Sequence, residues 1–391
     1  MGRTYDAIAL GLGAVGSAAA YQMARRGSRV LGIDQFSPPH NLGSTHGDTR
    51  ITRQACGEGA HYTPLSLRSY ELFREVERET GADLLTTCGG LIISSEGATA
   101  GTHVPGFFAN TLAAARAHDI THELLDASEI RRRFPQFLVR DDERAYYEPA
   151  AGFLRPEACV QAQLALAERH GADLHRGERA ISYRRNGSSI ELTTDIDTYS
   201  AERLVISAGP WLPGLIDARH RHIFTIRRQV LYWFDVGDAT ARFAPERFPV
   251  FIWQFEGDRP GCYGFPAVDG PGGGIKIATE QYETTTTPDT VDRSVSDAEI
   301  QEMYARCVAP RLANVRPACL RSVTCLYTCT PDSGFVIDAD PANERVIIAS
   351  PCSGHGFKHS AAVGEALAEL VCDGRTRLDL SKFKLDRFDP Q

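Results

Sequence analysis

Several features that would direct the reading elsewhere are missing from these 391 residues. Ten cysteines are present, yet they are scattered, with no CxxC pair and no zinc-type spacing, so a structural metal is not signalled. No run of 18 apolar residues occurs, and a membrane-spanning helix is not expected. Basic residues number 42 against 50 acidic ones, a net charge of −8, which leaves no basic face suited to nucleic acid. The short basic runs, Arg131-Arg132-Arg133 and "RHRH" from Arg219 to His222, read as solvated surface. The opening residues "MGRTYDAIALGLG" pass almost at once into a strand without a charged-then-apolar leader. With the unpaired thiols, this predicts a reduced, cytoplasmic protein. No internal repeat or low-complexity segment is evident.

What is present begins with "YDAIALGLGAVGSAAAYQMARRGSRVLGID". The apolar run Ala7 to Leu10 leads into Gly11, Gly13 and Gly16. A small-residue helix follows to Gly27, and a second strand ends on Asp34. This is a βαβ unit with GxGxxG in the position that a dinucleotide requires. The first glycine permits the tight turn, the second lets backbone approach a pyrophosphate, and the third allows close helix–strand packing. The helix N-terminus favours the anion, and Asp34 lies where an acid accepts from a ribose hydroxyl.

Two later segments repeat this style. "RLVISAGPWLPGLI" predicts a returning strand of the same sheet, and "RVIIASPCSGHGFKHSAAVGEALAELVCDG" reads as strand, glycine loop and helix. Val363, Ala366, Leu367, Leu370 and Val371 fall on one face of that helix, and Gly374 is a fitting C-cap. Strand-rich stretches with turn punctuation lie between, and "ETTTTPDT" reads as a polar loop. The expected class is therefore α/β with two domains. A discontinuous Rossmann-type nucleotide domain takes residues 1–85, 150–218 and 320–391, and a β-sheet-rich substrate domain takes 86–149 and 219–319. Gly354 and Gly356 allow backbone to approach a flat ring, and the helix beginning near Ser360 points its positive end at it. Reduced flavin is anionic whereas reduced nicotinamide is not, so FAD is preferred over NAD.

Taken together and in order, "GLGAVG", "GSTHGDTRITRQACGEG", "YGFP", Lys276, "CLYTCTPDSGFVID" and "SGHGFK" are specific. The chain resembles the monomeric sarcosine oxidase and N-methyltryptophan oxidase family, FAD-dependent amine oxidases with a glutathione-reductase-like FAD domain. The resemblance implies FAD joined through its 8α-methyl to Cys325, with Thr49, Arg50 and His46 beside the flavin. It implies Arg53 and Lys358 on the substrate carboxylate, the guanidinium fork being suited to bidentate pairing. It puts Tyr263 and Tyr327 in the pocket, and gives Lys276 the activation of oxygen. Cys329 gains no role and reads as packing.

One departure concerns Glu280, four residues past Lys276, where many N-methyl amino acid oxidases carry histidine. An acid there suits a cationic or hydroxylated amine, as in fructosyl amino acid oxidases. The implied activity is oxidation of a secondary amino acid such as sarcosine or N-methyl-L-tryptophan. A fructosyl-amine or cyclic imino acid oxidase is the alternative, and a non-catalytic flavin-binding sensor the reading of a different class. The implied partners are a small amine and oxygen, acting on a monomer. Trp233 and Trp253 read equally as pocket or as core.

Overall fold

The computed structural model describes residues 4–95, 98, 104–255, 257 and 261–389. The first strand, β1 (Thr4–Leu10), is followed by helix α1 (Ala14–Arg25) and strand β2 (Val30–Asp34). β1 lies parallel to β2 on one side and to the Thr198–Ile206 strand on the other. The Asp173–Arg176 strand continues the sheet beyond β2, and Asn343–Ser350 joins Thr198–Ile206 in parallel. Segments from the start, middle and end of the sequence thus meet in one eight-stranded sheet. Strands covered on both faces read as near-continuous apolar runs, as β1 and β2 do.

Close approach around the first turn depends on absent side chains. Gly11 has φ +87°, and a Cβ on it would lie 2.7 Å from the Ser207 carbonyl oxygen. A Cβ on Gly16 would overlap the Gly11 carbonyl oxygen, so this helix can sit against the strand only with glycine there. The C-terminal helix Ser360–Asp373 packs on α1, with Gly364 facing Ala18. The amphipathic pattern expected of it does not hold over its first ten residues, all of which are buried. The reason is its position between α1 and the Thr63–Thr80 helix, which leaves its first part no solvent side.

A nine-stranded sheet is built from residues 90–148 and 225–329. The Cys319–Cys329 strand belongs to it, running antiparallel to Thr225–Phe234 with Cys325 opposite Gln229. This corrects the grouping of residue 320 onward with the nucleotide domain. A long antiparallel partner outweighed the proximity in sequence to the last strands of the other sheet. The segment read as a polar loop also contributes a short strand, Thr285–Thr286, pairing with Ile226 and Arg227.

Strand alternation sorts this sheet's side chains between two faces. One face carries Trp253, Phe251, Phe234, Ile275, Ile277 and Cys262 into an aromatic-rich core. The opposite face brings together Leu231, Trp233, Ala278, Cys325 and Tyr263. Trp233 and Trp253 are core residues: Trp253 donates to Glu143 at 2.8 Å, and Trp233 is 2% exposed. Among the described residues no helix is long and apolar enough to cross a membrane.

Candidate active site

A cleft of about 350 Å³ opens at the C-terminal ends of β1 and β2. Gly11, Gly13, Asp34, Ser44, Thr45, Arg50, Gly354, Gly356 and Ser360 line it. A Cβ on Gly13 would meet nothing nearer than Thr45 Oγ1 at 3.7 Å, so this backbone faces open space. The Asp34 carboxylate accepts from Leu12 and Phe36 N–H at 2.8 Å each, which fixes the turn and holds the acid at the cleft wall. Burial raises its pKa, and those two N–H groups oppose the shift. The start of the Ser360–Asp373 helix reaches the cleft at Ser360, whose buried hydroxyl has no partner within the protein. Ser44 Oγ, also on the wall, is likewise unpartnered. Glycine-lined backbone, unused hydroxyls and a helix N-terminus form a setting suited to a dinucleotide.

A smaller chamber of about 90 Å³ adjoins the cleft, and Arg50, Tyr327, Gly354 and Phe357 line both. Arg53, Glu58, Tyr263, Glu280, His355 and Lys358 belong to its polar wall, with Phe107, Ile252 and Phe265 as apolar surface. Arg50, Arg53 and Lys358 face Glu58 and Glu280, an excess of one positive charge that suits an anionic group on the ligand. Tyr263 and Tyr327 hydroxyls lie 3.3 Å apart.

Arg53 and Lys358, expected as a free carboxylate clamp, are joined by a residue that sequence reasoning missed. Arg53 Nη2 donates to Glu58 at 2.7 Å, and Lys358 Nζ donates to the same carboxylate at 3.0 Å. All three side chains are at most 5% exposed, and a buried carboxylate between two cations is compensated where a single cation would not be. Arg53 also donates to the Ala55 carbonyl and lies over the Phe107 ring, while Lys358 donates to His355 O at 2.9 Å. Glu58 stands within the quoted "GEG", but its five-residue separation from Arg53 carries no periodic signal. Only the loop that follows the Arg50–Thr52 strand turns it inward.

Lys276, His46, Thr49 and Cys325 lie behind these walls rather than on them. Lys276 is 2% exposed, and its Nζ donates to the carbonyls of Gly47 (2.8 Å) and Thr49. The ammonium lies 3.9 Å from the Phe265 ring centroid. Burial first, and then Arg50, pull its pKa well below the usual lysine value. His46 is held at a pKa of about 3 by burial and by Arg50, so it is neutral, with Nε2 unpartnered. Thr49 Oγ1 is also buried without a partner. The Cys325 sulfur lies 3.6 Å from Arg50 Nη2 and from the Ser44 carbonyl, both residues of the cleft wall. Burial raises this thiol's pKa, and Arg50 works against the rise. Cys329 is buried in the same strand without contact to either cavity.

A family model described as FAD-dependent oxidoreductase, DAO, matches residues 6–370. The chain belongs to the DAO family of FAD-dependent oxidoreductases. A monomeric sarcosine oxidase of Streptomyces avermitilis is 43% identical to this family member over 98% of this chain and 97% of the relative. An N-methyl-L-tryptophan oxidase of Yersinia pestis is 33% identical, over 98% and 99%. Among solved structures, NikD, an unusual amino acid oxidase, superposes with a TM-score of 0.82 at 22% identity, covering 98% and 97%. Amadoriase I, a fructosyl amine oxidase from Aspergillus fumigatus, gives 0.74 at 15% identity, covering 97% and 89%. Both share the fold of this DAO-family oxidoreductase, a Rossmann-type FAD domain joined to a β-rich one. FAD dependence follows from the family, and the cleft's residues fit that group.

Proposed function

We propose that the protein oxidises the C–N bond of a secondary α-amino acid, sarcosine or N-methyl-L-tryptophan, producing hydrogen peroxide and an imine that hydrolyses to amino acid and aldehyde. FAD, when bound, supplies the electron sink, taking two electrons from the substrate and passing them to oxygen. The observation that carries the reading is the cationic chamber opening onto the dinucleotide cleft through Arg50 and Tyr327. Arg53 and Lys358 hold the substrate carboxylate, with Glu58 compensating them in its absence. Tyr263 and Tyr327 flank the amine. Asp34, Gly11, Gly13, Gly16, Gly354 and Gly356 hold FAD, with Thr49, Arg50 and neutral His46 beside it.

Cys325 is the proposed 8α-S-cysteinyl tether, supported by its place on the site-facing side of its strand and by Arg50 at 3.6 Å, which favours the thiolate that attachment needs. Cys325→Ser is expected to leave no flavin in an acid-precipitated pellet, where the unaltered protein gives a yellow one. A yellow pellet from the variant removes Cys325 from this role. The protein is proposed to act as a cytoplasmic monomer.

The first test mixes the flavin-loaded protein anaerobically with sarcosine, N-methyl-L-tryptophan, L-pipecolate and fructosyl-glycine, and follows loss of the flavin's visible band. Bleaching by one of the first two, with peroxide on admitting air, is expected. Bleaching only by fructosyl-glycine or pipecolate selects the second reading, which rests on Glu280 in the chamber wall. In that case Glu280→Gln lowers kcat/KM for the bleaching amine by about tenfold, the scale of one lost charged hydrogen bond.

A further inference from the structure

Lys276 is a buried cation held by neutral acceptors. Its ammonium donates to Gly47 O at 2.8 Å and to Thr49 O, and Arg50, a second cation, donates to that same Thr49 carbonyl at 2.9 Å. Burying an ammonium beside a guanidinium is costly unless negative charge compensates the two. That charge lies one peptide further on. Glu157, in the first turn of the Pro156–Arg169 helix, accepts from the Gly47 N–H at 2.6 Å and from the Asp48 N–H at 3.2 Å. The Asp48 N–H belongs to the same peptide unit as the Gly47 carbonyl. One peptide therefore carries a carboxylate on its N–H and an ammonium on its C=O. Charge at both ends polarises it and strengthens each bond.

The turn that presents this peptide is an uncommon one. Gly47 and Asp48 have φ of +93° and +67°, and the Thr49 N–H donates back to the Gly47 carbonyl at 2.8 Å, closing three residues. A residue with a side chain holds positive φ only where its surroundings impose it. Two anchors do so here. Glu157 takes the N–H groups, and the Asp48 carboxylate pairs with Arg321, which stacks at 3.9 Å over the Trp233 ring. The charged and titratable groups facing the ammonium are Arg50, Asp48 and Glu157, with neutral His46 and the Cys325 thiol. Burial and then Arg50 work against the charged lysine, whereas Asp48 and Glu157 favour it.

We propose that Glu157 is a positioning residue for oxygen activation: through the Gly47–Asp48 peptide it fixes the Lys276 ammonium and keeps it charged. The proposal rests on Lys276 as the group that assists oxygen. Glu157 touches neither cavity wall and comes from the other domain's helix, 110 positions from Gly47, so no local pattern joins it to the site.

The chain has four lysines, Lys276, Lys358, Lys382 and Lys384, so NMR of carbon-13 at lysine Cε can follow Lys276 in the full-length, flavin-loaded protein. Lys276→Met assigns the signal. Glu157→Gln keeps the shape and an acceptor oxygen but removes the charge, and its Lys276 signal should titrate at lower pH than in the unaltered protein. Glu157→Asp, which retains the charge, should titrate between the two. A residue that only braced the helix would leave this midpoint where it was. Reoxidation by oxygen should follow the same shift. The charged lysine exists below the midpoint, so a lower midpoint makes the rate fall at a lower pH. A second measurement needs no substitution: with carbonyl-labelled glycine and nitrogen-labelled aspartate, the Gly47–Asp48 amide should shift at the Lys276 midpoint. An unmoved Lys276 midpoint in Glu157→Gln, or an amide indifferent to that midpoint, overturns the proposal. Unchanged reoxidation in Lys276→Met would instead overturn the oxygen role of Lys276, and leave the peptide-bridged pair standing on its NMR titration.

Discussion

Replacing Lys276 by Met is expected to slow reoxidation of the reduced protein by oxygen about 10²–10³-fold, the loss recorded when one preorganised electrostatic partner is removed. The ammonium is buried, anchored by the carbonyls of Gly47 and Thr49, and set against the Phe265 ring. We propose that a cation so fixed, away from water, would meet the negative charge that oxygen gains on its first electron without reorganising. Met preserves the volume and removes the charge, so the step in which substrate reduces the flavin should change only severalfold. Stopped-flow mixing of anaerobically reduced protein with oxygen separates the two steps.

The pH dependence has a definite sign. Burial lowers the Lys276 pKa, so the charged form is present below that lowered value and is lost as pH rises through it, well short of the ordinary lysine range. Reoxidation should therefore fall with rising pH in the unaltered protein and stay flat in the Met variant. Equal reoxidation rates in both would assign oxygen activation elsewhere.

Arg53→Met is expected to lower kcat/KM for an N-methyl amino acid by about 2–5 kcal/mol, roughly 30- to 5,000-fold, as when one partner of a buried, hydrogen-bonded charge pair is truncated. Two effects combine. The substrate carboxylate would lose its guanidinium, and Glu58 would lose one of its bonded cations, so that Lys358 is less free to turn to the ligand. A secondary amine lacking the carboxylate provides the control: its kcat/KM should be nearly indifferent to the substitution. A thermal melt records the accompanying loss of stability. Equal losses for both amines would mean that Arg53 shapes the chamber and does not hold the carboxylate.

Much of this protein was determined by local sequence. The βαβ start, the glycines that a Cβ would block, Asp34 at the end of β2 and the strand–loop–helix at the C-terminus are short-range patterns. Each is set by steric rules and periodicity within some thirty residues. They sufficed for the fold class and for a dinucleotide. The family resemblance then supplied residue types for the site, and the structure gathers Arg50, Arg53, Tyr263, Glu280, Tyr327 and Lys358 around one chamber.

What tertiary structure alone decided were the relations between distant segments. Sequence order grouped residue 320 onward, Cys325 included, with the nucleotide domain, whereas backbone pairing with Thr225–Phe234 put Cys325 in the other sheet. The C-terminal helix looked one-sided because periodicity reports only its own residues, and two neighbouring helices buried its remaining sides. Glu58 entered the site because a buried carboxylate needs cations, and Arg53 and Lys358, 305 positions apart, are both within reach only after folding. Local patterns fix backbone conformation, whereas charge compensation depends on which distant side chains share a low-dielectric interior.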